Sequence, residues 1–252
     1  MSSNADADQT CRITACAYTG EAHPEVPSAA VADEQPWGVA FAEVQARVGA
    51  CTRCPALVAS RSQVVVGAGA ADADVLLVVD APSADEDALG LALIGQAGRL
   101  VDQLLNGAGL TRADVFVTSL VKCLPPGGRD PSPGEVANCS EHLVAQVGLV
   151  RPVVVVAVGA SATKLLRGDP APIRERRGRE EVRTLGTHAF WLLPVFNPVA
   201  ALYGPALIEQ LRADLARLPE LVARGRPQAE TPASVESEPV EPVTGPPQLG
   251  LF

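Results

Sequence analysis

Several things missing from this sequence narrow its function before anything present is read. No stretch of eighteen apolar residues occurs in its 252 residues, which excludes a membrane-spanning helix. Residues 1–35 contain no apolar run of signal-peptide type, so the six cysteines read as reduced intracellular thiols rather than a disulfide framework. A basic excess is also lacking. The formal net charge is −9, an unusual balance for a chain that binds nucleic acid. Most of that charge lies at the ends: residues 1–35 hold six acids against one Arg, and residues 223–252 hold four acids against two Arg. The stretch between them is nearly neutral. It carries a local cluster of Arg174, Arg176, Arg177 and Arg179, with Lys122 and Arg129 flanking Cys123. A positive stripe able to face a polyanion such as nucleic acid is therefore feasible, with Lys122, Arg129, Arg177 and Arg179 as its candidates. A solvated basic turn accounts for the same residues equally well.

Four cysteines carry the strongest signal. Cys51 and Cys54 form a close pair, and Cys123 and Cys139 follow only after an intervening domain-sized stretch. Only folding brings the two sets together. A zinc ribbon favours a second close pair, whereas the wide Cys123 to Cys139 spacing suits an iron–sulfur cluster stapling separate elements; thiolates alone leave both metals open. Cys11 and Cys16 lie outside this set and read as incidental thiols.

Composition divides the chain in three. Residues 1–35, rich in Ala, Asp and Ser without sustained periodicity, are expected to be disordered. Residues 36–222 are expected to form one ordered domain, and residues 223–252 a disordered Pro- and Glu-rich tail. Within the domain, apolar runs at 75–79, 115–121, 153–158 and 190–195 suit buried parallel strands. Helical spacing appears over 98–108, over 133–150 after the Ser132-Pro133 start, and over 161–166. The pattern predicts an α/β, doubly wound three-layer sandwich with a central parallel sheet of about four strands. Ligands in such sheets bind beyond the carboxyl ends of the strands, which gathers residues 80–87, 119–123, 159–161 and 196–199 around one crevice.

The motifs along this frame carry a resemblance. They include Cys51-x-x-Cys54 with Leu57 and Arg61, then Ala81-Pro82 with Ala84-Asp85-Glu86-Asp87, then Gly95-Gln96-Ala97-Gly98. They continue with Val121-Lys122-Cys123-Leu124-Pro125-Pro126, Arg129-Asp130-Pro131, Glu135-Val136, Cys139 and Arg151-Pro152. From Cys51 to about Leu215 the chain resembles the family 4 uracil-DNA glycosylases, bacterial and archaeal repair enzymes that hold a 4Fe-4S cluster through four such cysteines. The resemblance implies that Cys51, Cys54, Cys123 and Cys139 ligate a structural cluster beside the DNA-binding face. It also implies a cytoplasmic, nucleoid-associated monomer whose partner is DNA carrying uracil or a damaged base.

Four positions depart from the family pattern, all in the crevice. The loop Gly-Glu-(Ala/Gly)-Pro-Gly reads Val79-Asp80-Ala81-Pro82-Ser83, so the carboxylate survives one methylene shorter. The family Phe that stacks on flipped uracil falls on Leu93, forfeiting part of a contribution of about 1–3 kcal/mol. The Asn that reads the base edge falls on Ser119, one hydroxyl in place of a planar amide. The His of the family His-Pro pair falls on Asn197, which donates a hydrogen bond but carries no charge. Losing one donor to a developing oxyanion costs about 3–4 kcal/mol at most. The acidic run 85–87 and the Lys122 to Pro126 segment stay intact with no evident folding role, which favours retained function.

On this reading Asp80 or Asp85 positions water or stabilises the cationic sugar, and Asn197 contacts the leaving base. Ala81, Pro82, Leu93 and Ser119 surround the base. Plainer roles stand beside these: Asp80 as a cap, Ser119 as a strand-end hydroxyl, Leu93 as core. Two function classes remain, a DNA glycosylase with altered base preference and a non-catalytic DNA- or clamp-binding adaptor. The terminal Gln248-Leu249-Gly250-Leu251-Phe252 resembles the peptide by which bacterial DNA-processing proteins bind the sliding clamp. Gln248, Leu249, Leu251 and Phe252 are its candidate partner-binding residues, on a polar tether.

Overall fold

The computed structural model describes residues 36–228. The expectations for 1–35, including Cys11 and Cys16, and for the clamp-like peptide at 248–252 lie outside the described residues. Among the described residues, ten α-helices and six strands follow the order α1 (Pro36–Gly49), α2 (Pro55–Ser60), β1 (Ala68–Gly69), β2 (Val75–Val79), α3 (Ala84–Leu89), α4 (Gly95–Gly107), β3 (Val115–Ser119), α5 (Pro133–Val150), β4 (Val154–Val158), α6 (Ala160–Arg167), α7 (Ile173–Arg176), β5 (Glu181–Leu185), β6 (His188–Val195), α8 (Pro198–Ala201), α9 (Pro205–Leu215) and α10 (Leu218–Ala223). Among the described residues, no helix is long and apolar enough to cross a membrane.

The sheet runs β1-β3-β2-β4-β6-β5, with the four central strands parallel and both edges antiparallel. Each of β2, β3 and β4 is buried along its whole length, because helices cover both faces. Alternate residues divide between the two layers. Leu77, Val79, Val117, Val156, Val158 and Val195 pack with Leu104 and Leu105 of α4 and with Leu211, Leu215, Leu218 and Leu221 of α9 and α10. Leu76, Val78, Phe116, Val155 and Leu192 pack with Leu143, Val147 and Val150 of α5 and Ala162 of α6. This is the expected doubly wound three-layer sandwich, but its sheet is mixed and holds six strands, not about four.

The start of α5 shows how local chemistry sets a boundary. Ser132 accepts from the Glu135 amide and Glu135 accepts from the Ser132 amide, a reciprocal cap, while Pro133 supplies a preset φ at the first turn. The domain also runs past the boundary expected at 222. The Trp191 indole donates to the Gly225 carbonyl, Arg224 lies over the Trp191 ring, and Arg226 donates to the Arg151 carbonyl. Residues 223–226 therefore belong to the packed structure, since their backbone and charges close over an otherwise half-exposed Trp.

Candidate active site

Register aligns the carboxyl ends of the parallel strands. Val79 lies opposite Ser119 on one side and Val158 on the other, and Val158 lies opposite Val195. Asp80, Leu120, Gly159 and Phe196 consequently leave the sheet in one row, at the strand ends where the crevice is expected. Asp80 is its central acid. Its Oδ1 accepts from the Ala162 amide at 2.6 Å and the Ser161 amide contributes as well, so the carboxylate sits on the first turn of α6. Burial raises its pKa to about 6 despite those amides, with the negative charge of Asp130 adding to the rise. Gly159 makes this fit possible. Its φ is +103° and a Cβ there would meet Asp80 Oδ2 at 2.5 Å.

Asn197 caps α8 by accepting from the Val199 amide through Oδ1 at 2.9 Å. Because that end of the amide must be the acceptor, the Nδ2 group is the free end, and it has no partner among the described residues. Asn197 and Asp80 thus stand at strand ends on either side of Gly159. Beyond Asn197, Val199, Leu202 and Tyr203 are exposed, Tyr203 at 88%; apolar residues directly after Asn197-Pro198 were the available sequence signal.

Other crevice candidates have structural employment. The Ser119 hydroxyl is buried and donates to the Val121 carbonyl at 2.7 Å. Leu93 is 5% exposed within the α4-side core, with its backbone at φ +54°; Gly98 allows this, since a Cβ there would meet the Leu93 carbonyl at 2.2 Å. Pro82 is buried, and Ala81 packs against Val121, Val136 and Cys139. Asp85 is exposed on α3. Its neighbours are structural: Glu86 forms a capping box with Ser83 and also accepts from the Ile94 amide, and Asp87 accepts from the Ser62 amide. The acidic run therefore does have folding roles. Its persistence says little about function, which corrects the inference drawn from it.

The four cysteines come together. Cys51, Cys54, Cys123 and Cys139 line one space with Val48, Leu57, Val58, Arg61, Lys122, Asn138 and His142. Three of the sulfurs face N–H donors: Arg61 Nη1 to Cys123 at 3.1 Å, and at 3.5 Å both Arg53 Nε to Cys51 and Asn138 Nδ2 to Cys54. Burial raises the Cys123 and Cys139 thiols; at Cys51 the hydrogen bonds and charge of Arg53 outweigh burial and lower it. Among the described residues, no carboxylate lines the space. Among the described residues, no three His, Cys, Asp or Glu side chains form a group that would hold a metal ion. The thiols ring a volume instead of meeting at a point, and with donors aimed at sulfur the set fits a thiolate-bound anionic group.

Residues 66–217 match the family model described as the uracil DNA glycosylase superfamily. The chain is 32% identical over 190 residues to a type-4 uracil-DNA glycosylase of Archaeoglobus fulgidus, covering 73% of this chain and 94% of that protein. This chain belongs to the type-4 uracil-DNA glycosylase family. A type-4 uracil-DNA glycosylase of Thermotoga maritima is 38% identical over 156 residues, 62% of this chain and 79% of its own. One from Saccharolobus solfataricus is 33% identical over 178 residues, covering 69% and 82% respectively.

Against that membership, the expected DNA-facing stripe is largely redistributed. Lys122 is a correction: it is 1% exposed, donates to Thr118 Oγ1 and the Ser119 carbonyl at 2.5 Å each, and faces the cysteine space, out of reach of a phosphate. Burial brings its pKa down to about 7, opposed by the nearby Cys139 and Cys123. Arg129 is exposed but holds Glu135 through two bonds of 2.8 and 2.6 Å, which pulls the Glu135 carboxyl down to about 2. Arg177 is engaged by Asp214 and lies over Phe196, bracing the strand end that leads to Asn197. Arg179 and its neighbour Arg174 are exposed, and neither side chain has a partner among the described residues. Among the described residues, these two are the cations of the turn not engaged by an acid.

Proposed function

We propose that this protein is a DNA glycosylase that hydrolyses the N-glycosidic bond of uracil, or of a closely related damaged base, flipped into the crevice. The observation that carries the reading is the placement of Asp80 and of Asn197, whose Nδ2 is free, at strand ends on either side of Gly159. Asp80, with its pKa near 6, is ionised at neutral pH. It aligns a water and stabilises positive charge on the sugar as the C1′–N bond breaks. The bonding electrons leave on the base, where Asn197 donates to the oxygen that becomes negative. Water adds at C1′ and its proton is released. Because the Ser119 hydroxyl is occupied and Leu93 is core, base recognition rests chiefly on Asn197 and backbone groups of the Asp80 to Pro82 loop. Excision of uracil from an oligonucleotide at high enzyme excess tests this directly.

The same reading assigns a 4Fe-4S cluster to Cys51, Cys54, Cys123 and Cys139. It is supported by four thiols around one volume, by N–H donors on three of them, and by the family to which the chain belongs. When bound, the cluster fastens α2 to the segment from Cys123 to α5 without serving the hydrolysis. The terminal peptide 248–252 tethers the enzyme to the sliding clamp. Deleting 248–252 is expected to abolish clamp binding by surface plasmon resonance, leaving iron content and excision from short oligonucleotides unchanged. Clamp affinity equal to that of the full chain would refute the tether.

A further inference from the structure

Lys122 presents an unusual electrostatic situation. It is among the largest fully buried side chains, and no carboxylate lies within ion-pair distance of it among the described residues. An ammonium removed from water without an opposite charge is strongly disfavoured, so a buried lysine is held either by a partner anion or by losing its proton. The two acceptors it has, Thr118 Oγ1 and the Ser119 carbonyl, are neutral. Its remaining surroundings are the space lined by the four cysteines, which contains Arg61 as a further cation and no acid. Among the described residues, the negative partners within reach of Lys122 are the sulfurs of Cys139 and Cys123 and the group they hold in that space.

We propose that Lys122 is the internal counter-ion of the iron–sulfur cluster and a positioning residue that ties the cluster to the end of β3. Four thiolates give the cluster net negative charge, and Lys122 neutralises part of it from the side facing the sheet. Its bonds to Thr118 and Ser119 hold the strand end from which the crevice loop departs. Thr118 Oγ1 in turn donates to the fully buried Gln146 of α5 at 2.8 Å, so the link reaches the helix that carries Cys139. The inference rests on the cluster assignment made above.

Lys122→Met tests it, because Met keeps the length and apolar stem and removes the charge. In anaerobically purified full-length protein, the variant is expected to hold its cluster at a lower reduction potential, since the added electron loses a nearby cation. It should also release iron to a chelator about 10–100-fold faster. Lys122→Arg is expected to stay close to wild type in both readouts. An unchanged potential and release rate in Lys122→Met would overturn the proposal while leaving the cluster assignment standing. Should Lys122→Met emerge without iron, Lys122→Arg decides: iron retained supports the charge, and iron lost in both overturns it. Wild-type protein purified without iron would instead sink the cluster assignment, and this inference with it.

Discussion

Asp80→Asn is expected to slow uracil excision by about 10²–10⁴-fold, the range over which a positioned acid or base contributes. The substitution keeps the shape, and the Asn oxygen still accepts the Ala162 amide, so the crevice retains its form while the charge disappears. Burial has already raised this carboxyl to about 6, so wild-type kcat/KM should climb as pH rises through about 6 and level off above it. The Asn variant should lack that limb. Stability moves in the opposite direction. Between the unperturbed value of 3.8 and about 6 the native state holds a proton that the unfolded chain has released, so raising pH across that window destabilises the fold. Asp80→Asn should flatten this slope in thermal melts. A variant with full activity and an unaltered pH limb would remove Asp80 from the chemistry and leave it as a cap on α6.

Cys123→Ala is expected to have the largest effect on the integrity of the domain. The side chain is buried, accepts from Arg61, and sits in the segment that leads from β3 to α5. Loss of one thiolate should bleach the visible absorption, lower iron content well below that of wild type, and destabilise the domain by several kcal/mol, because cluster binding is coupled to folding. Arg61 would lose its sulfur acceptor, though it keeps the Cys51 carbonyl at 3.0 Å. Iron analysis, visible absorption and thermal melting of the same preparation check this. Full colour together with a wild-type melt would contradict the ligand set.

Much of the frame was legible in the residues because the central strands are buried on both sides. Unbroken apolar runs mark β2 and β4, and the bounds of α5 follow from Ser132, Pro133 and Glu135. The edges gave weaker signals. β1 is two residues long and depends on Gly69, whose missing side chain lets its backbone approach the Val115 carbonyl. β5 is charged and half-exposed, and only Gly186, at φ +61° in the turn to β6, hints at a hairpin.

The site divides along similar lines. The row of strand ends that carries Asp80 and Asn197 follows from strand order, and the grouping of the four cysteines from spacing and resemblance, so both could be read without coordinates. The facing of individual charges could not. Lys122 turns inward because it leaves β3 in a tight loop where no period applies, and Arg129 is taken by Glu135 because the capping of α5 brings that carboxylate within reach. Asn197 showed its chemistry only through geometry: the Val199 amide claims the oxygen and thereby frees the donor.

The most direct measurement is single-turnover excision from uracil-containing single- and double-stranded oligonucleotides by anaerobically purified full-length protein in excess. The expected result is complete release of uracil by the wild type and a rate loss of about 10²-fold or more in Asp80→Asn. Wild-type protein that carries its full iron complement and binds the DNA yet releases no uracil would contradict the assignment, and would mark the chain as a binding member of its family.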